Sequence, residues 1–282
     1  MERSPNLNEL PQPYISEEFA RANLSRGLAG QLIAEALGLT PPDDILSQST
    51  TRSGKSLTSI SRQAAHMMKR PGCLYAAAQK DPSGIMLHAI LRKTKRQVPM
   101  RYIDRKEGFE QDLVRYLFLC LNTKTLNLDA SVVTLSYHTI QRWIERGGGG
   151  DPRVGLLKKL DLAIASLGRK SLFDECDKVN RLPPRPVEAG LRRFGVPSAD
   201  GGIWVAGLSI FSNQNPNSAR ARVRARQGSS VMFLTYLGSR DLSKAQAVYR
   251  EIADQEGLAK AAERWPDMFI PEVYDLPTRA RP

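Results

Sequence analysis

With 282 residues, 41% of them hydrophobic, the chain is long enough to bury a substantial core in one large domain or two small ones. Its 41 lysines and arginines against 29 acids leave a formal charge of +12, a balance that favours polyanions such as RNA or DNA as partners. No run approaches the roughly 18 consecutive apolar residues that a membrane span needs, and the N-terminus lacks a basic-then-apolar leader, so no membrane contact and a cytoplasmic location are expected. Cys73, Cys120 and Cys176 are odd in number and widely spaced, which argues against a disulfide framework and a zinc module; neither metal nor cofactor is expected.

A proline-rich lead runs into a helix predicted from Glu17 to Leu37, with Gly38 as stop and Pro41-Pro42 beyond. Phe19, Ala22, Leu24, Leu28, Leu32 and Leu39 give it one apolar side, able to dock on the main body or on a protein partner. Ser and Thr dominate the stretch from Leu46 to Ser61, read as a loop. Its Gly54-Lys55-Ser56 lacks the upstream glycine of a phosphate-binding loop, because Ser49 stands there. A short helix is expected from Ile60 to Lys69. Cys73 to Ala78 and Ile85 to Leu91 are apolar runs joined by Asp81-Pro82-Ser83-Gly84, which predicts a hairpin. Phe109, Leu113, Tyr116, Leu117 and Cys120 recur at helical spacing and predict a helix from Glu107 to Leu121. Leu126 to Leu135 alternates and ends in Val132-Val133, the mark of a strand leading into a helix that Ser136 caps and Gly147 ends. A helix from Arg153 to Leu167, an extended Arg181 to Pro186, strands at Gly202 to Phe211 and Ser230 to Leu237, and a helix from Ser243 to Trp265 complete the reading. The expected class is α+β, an antiparallel sheet with packed helices and strands mostly in the second half. The expected organisation is a helical N-terminal region and linker over 1–60 and a basic α+β domain that interacts with nucleic acid over 61–282.

Candidate contacts to nucleic acid fall in three places. Arg96, Arg101 and Arg105 follow the first hairpin with Lys93, Lys95 and Lys106, and Tyr102 is placed to stack on a base. Arg220, Arg222, Arg224 and Arg226 alternate, so an extended segment would put four guanidiniums on one face, a match for phosphate oxygens. The third place is the helix after Ser136. At 100° per residue His138, Arg142 and Glu145 share one side, while Tyr137, Ile140 and Ile144 share the other.

That helix admits three readings. In the first, His138 is a general acid or base and Arg142 and Arg146 stabilise charge at a phosphate, which suffices for metal-independent RNA cleavage because the 2′-hydroxyl is the nucleophile. The His-x-x-x-Arg-x-x-x-Arg pattern of His138, Arg142 and Arg146, with strands following in order, resembles bacterial mobile-element and toxin proteins of the barnase and RelE-like ribonuclease type, over about 126–237. The resemblance implies a small antiparallel sheet and gives Thr235 and Tyr236 as sheet residues facing the site. In the second reading, residues 135–144 resemble the second helix of excisionase-like and MerR-like DNA-binding proteins. A helix-turn-helix at about 126–147 would then make a sequence-specific regulator, with Gln141 and Arg142 reading base edges. In the third, the helix is structural, with Arg142 and Glu145 paired on the surface and His138 merely polar, and the chain is a non-enzymatic RNA-binding or assembly protein whose basic faces hold RNA or an acidic protein.

Overall fold

A computed structural model of the chain describes residues 12–38, 56–97, 111–125, 127–147, 155–169, 172–183, 192–211, 224–225, 228–265 and 268–269. In chain order these form α1 (Gln12–Gly38), α2 (Leu57–Met67), β1 (Cys73–Asp81), β2 (Gly84–Gln97), β3 (Gln111–Asn122), β4 (Asn127–Ser136), α3 (Tyr137–Glu145), α4 (Leu156–Arg169), α5 (Leu172–Asn180), β5 (Arg192–Pro197), β6 (Ile203–Phe211), β7 (Arg224–Ala225), β8 (Gly228–Leu237), α6 (Lys244–Gln255) and α7 (Leu258–Arg264). The fold is α+β: one sheet of eight strands in the order β1-β2-β3-β4-β8-β6-β5, with β7 beside β4.

Every neighbouring pair is antiparallel except those that β4 makes with β8 and β7. The sheet is therefore two antiparallel halves joined edge to edge by a parallel seam. Four strands precede residue 137, so the strands divide evenly between the halves of the chain and do not gather in the second. The first hairpin forms as expected: Asp81 faces Gly84 across Pro82-Ser83, and the Asp81 carboxylate accepts from Ser83 N at 2.9 Å.

The stretch predicted as a helix from Glu107 is instead β3 over its described part, from Gln111. Its apolar residues serve both faces of an interior strand. Val114 and Tyr116 are buried in the larger core, and Leu119 and Leu121 in the smaller one. A strand buried on both sides loses its period-two signal, and the apolar residues that remain imitate a helical stripe. Ser56 caps α2, which starts three residues ahead of expectation. The helix predicted from Ser243 is broken at Gly257, whose φ of 101° only glycine adopts without strain, giving α6 and α7. Both α5 and β5 lie outside the sequence reading.

The two cores lie on opposite faces of the sheet. On one face α2 seals Leu87, Ala89, Leu91, Leu119 and Leu121 with Ile60, Ala64 and Met67. On the other, α1, α3, α4 and α5 close over Tyr116, Leu135, Trp204 and Phe233. Ala29, Leu32, Ile33 and Ala36 of α1 are buried in that same core and Leu28 packs against it, whereas Leu24 remains exposed.

Trp204 and Phe233 sit on neighbouring strands with their rings stacked at 5.1 Å, and Trp143 stacks on Trp204 from α3 at 6.3 Å. Trp204→Ala is expected to cost about 3–5 kcal/mol in urea unfolding. Trp204→Phe should cost much less, because its buried indole Nε1 has no hydrogen-bond partner to lose. Equal losses in the two variants would contradict this account.

Candidate functional site

The surface of α3 is held in place from below. Ser136 ends β4 in extended conformation and becomes the helix N-cap, its Oγ accepting from Thr139 N at 3.2 Å. Thr139 Oγ1 donates to Phe233 O of β8 at 2.7 Å, which fastens the first turn to the sheet. Thr139, Ile140 and Trp143 face inward, and Tyr137 donates its hydroxyl to Arg26 O of α1 at 2.6 Å. Gly147, with φ of 80°, ends the helix as expected.

What remains outward is His138, exposed, with Gln141, Arg142 and Glu145 half-buried beside it. Arg142 Nη1 pairs with Glu145 Oε2 at 3.0 Å, yet 37% of the arginine side chain stays accessible. The His138 imidazole is held below its ordinary pKa of 6.5, first by partial desolvation and then by the charges of Arg142 and Arg146, with Glu145 opposing. It is neutral at neutral pH, so it can accept a proton. The same shift sets the sign of its linkage to folding. Protonation is harder in the folded chain, so stability is lost as pH falls from 6.5 through the lowered value.

The remaining site residues expected from sequence do not join His138. Arg146 is a clamp: Nη1 donates to Tyr236 O at 2.8 Å, and Nε lies 3.6 Å from Asp241. The side chain of Tyr236 is buried, packed against Trp204 with centroids 4.7 Å apart. Its hydroxyl donates to Asp200 at 2.5 Å and is driven well above its ordinary pKa by burial and by that carboxylate. Gly202 is required there, since a Cβ would come within 2.1 Å of the Tyr236 hydroxyl. Thr235 pairs with Val205 one position earlier on the strand, so its side chain points to the face opposite Tyr236 and α3.

The helix-turn-helix expectation is overturned. Residues 127–136, which that motif needs as its first helix, are β4, paired to β3 along nearly its whole length. The β-branched Val132-Val133 packs into the pleated sheet, with Val133 fully buried. Of the other candidates, Arg96 lies on β2 opposite Asp112 and Arg224 on β7 opposite Asn127. Arg101, Tyr102, Arg105, Arg220, Arg222 and Arg226 lie outside the described residues.

One polar constellation escaped the sequence reading. Arg92 of β2, with 4% of its side chain accessible, forms an ion pair with Asp161 of α4, and Tyr116 of β3 donates its hydroxyl to the same carboxylate at 2.9 Å. Burial pushes the Asp161 carboxyl up against the pull of Arg92 and Tyr116. The available signal was Asp161 itself, on the stripe that Leu157, Leu160 and Ile164 carry into the core. Arg92 and Tyr116 are buried and Asp161 keeps 14% of its side chain accessible, so the group ties α4 to the sheet and serves architecture.

Among the described residues no three His, Cys, Asp or Glu side chains are grouped to hold a metal ion, and no helix is long and apolar enough to cross a membrane. No protein-family model, curated protein or solved structure matches the chain.

Proposed function

We propose that this chain binds nucleic acid and that the outward face of α3 is part of the contact surface. The observation that carries the reading is that face: an exposed His138, with Gln141 and a partly accessible Arg142 on a helix whose other side is fixed to the sheet. A formal charge of +12 supplies the long-range attraction that a phosphate backbone rewards. The local likeness to ribonucleases of bacterial mobile elements suggests a cytoplasmic role in a mobile-element or defence setting.

The test is binding to RNA, single-stranded DNA and duplex DNA over a range of salt. Affinity is expected to fall steeply, and Arg142→Ala should reduce the slope of log K against log salt by about 1 if the arginine meets one phosphate. Binding that ignores salt, or no binding to any of the three, would remove the proposal.

A second reading, metal-independent RNA cleavage, is favoured by one further observation, the exposed position of His138 one turn before Arg142 on α3, where desolvation and the neighbouring arginines hold the imidazole below its ordinary pKa. The residues left around it, without Arg146, Thr235 or Tyr236, make a leaner catalytic set than the resemblance implied. In this reading His138 takes the proton of the attacking 2′-hydroxyl and Arg142 meets the phosphate. If His138 proves idle, the chain is a non-enzymatic nucleic-acid-binding protein.

A further inference from the structure

The two edges of the sheet are finished differently. At β5 the helix α6 closes the edge: the Tyr249 hydroxyl accepts from Gly195 N at 3.0 Å and donates to Gly195 O at 3.1 Å, using both backbone groups of one edge residue. Tyr249 and Phe269 then crowd the space where a Gly195 side chain would stand. The β1 edge has no such cover among the described residues, for no strand or helix pairs with the outer side of Ala76 to Lys80.

Natural edge strands are blunted by prolines, mid-strand charges, bulges or short length. β1 runs nine residues, about 30 Å of extended chain. Its one bulge lies at its start, between Cys73 and Tyr75, and its charges lie at its end, at Lys80 and Asp81. Between them stand Ala76-Ala77-Ala78-Gln79, small or neutral side chains that let another backbone approach.

We propose that β1 pairs antiparallel with β1 of a second copy of this chain, about a two-fold axis passing through the alanine run, joining two eight-stranded sheets into one. Charge selects this partner and this direction. β1 is preceded by the exposed Lys69 and ends in Asp81, so antiparallel pairing of identical strands brings the acidic end of each toward the basic end of the other. Parallel pairing would set Asp81 against Asp81. The Asp81 carboxylate is ionised for this role, its pKa lowered by hydrogen bonds from the Ser83 hydroxyl and backbone N–H. Lys80 does not neutralise it, because alternation sends that side chain to the opposite face.

Sedimentation velocity of the full chain across the micromolar range tests the pairing. A reversible dimer is expected, and Ala77→Lys, which places two ammonium groups across the axis, should weaken it by at least about tenfold while the circular dichroism of the monomer stays unchanged. Ala77→Cys and Ala78→Cys, each in a Cys73→Ser, Cys120→Ser background, provide an independent reading even if the lysine variant folds poorly. One of them should oxidise to a disulfide dimer linked through the introduced cysteine, and which one does so gives the register. A monomer at every concentration, with the edge satisfied within the chain, would overturn the inference. So would a dimer indifferent to Ala77→Lys and refractory to both cysteines.

Discussion

Replacing His138 by alanine is expected to reduce RNA cleavage in EDTA by about 10²- to 10⁴-fold, the usual worth of a general acid or base. Melting temperature and RNA affinity should barely move. The side chain is exposed, it makes no hydrogen bond that α3 depends on, and the helix is anchored through Thr139, Ile140 and Trp143 instead. The pH profile adds a second signature. A base works when neutral, and desolvation with the charges of Arg142 and Arg146 makes this imidazole harder to protonate. The rate should therefore hold as pH falls past 6.5 and decline only at the lowered value. Arg142→Ala should lower the rate as well, through lost charge stabilisation at the phosphate. Wild-type protein that cleaves no RNA would end the ribonuclease reading. Cleavage that survives in the His138 variant would transfer the chemistry elsewhere on the chain.

Asp161→Leu is expected to be the most destabilising of the conservative-volume changes, at about 3–5 kcal/mol by urea denaturation. The cause is what stays behind. Arg92 is as buried as the apolar residues around it, its Nε already lacks a hydrogen-bond partner, and removing the carboxylate leaves its charge unpaired. Tyr116 loses its acceptor in the same stroke. Arg92→Leu combined with Asp161→Leu should recover most of the loss, because an apolar pair carries no desolvation penalty. Additive losses in the double variant would mean that the two groups contribute independently of their pairing.

The parts of this fold legible in the sequence are those where local chemistry and tertiary packing ask for the same thing. Asp81-Pro82-Ser83-Gly84 turns the chain whatever surrounds it, and Val132-Val133 followed by Ser136 marks a strand that ends in a cap. Trp204 and Phe233 could be paired because each sits in an apolar run with clear limits. What stayed hidden depends on neighbours. β3 becomes a strand because β2 and β4 flank it and cores lie on both its faces, and no window of its own sequence records that. The site divided the same way. Helical periodicity placed His138 and Arg142 together on the outer face of α3. It could not reveal that Arg146 would be spent on a β8 carbonyl, or that the bulge between Phe233 and Thr235 and the alternation after it would separate Thr235 from Tyr236.

The cover over β5 also has a timetable. β5 becomes a border of the sheet only once β6 and β8 have joined it, and Tyr249 follows the end of β8 at Leu237 by 12 residues, about a second or two of synthesis at about 5–20 residues per second. For that interval neither border is covered among the described residues, β5 awaiting Tyr249 and Ala76 to Lys80 of β1 having no backbone partner there. Crowded polysomes are where such a molecule would be most exposed to joining its neighbours end to end, and, with β1 pairing as proposed, the arrival of Tyr249 would confine that pairing to a single border.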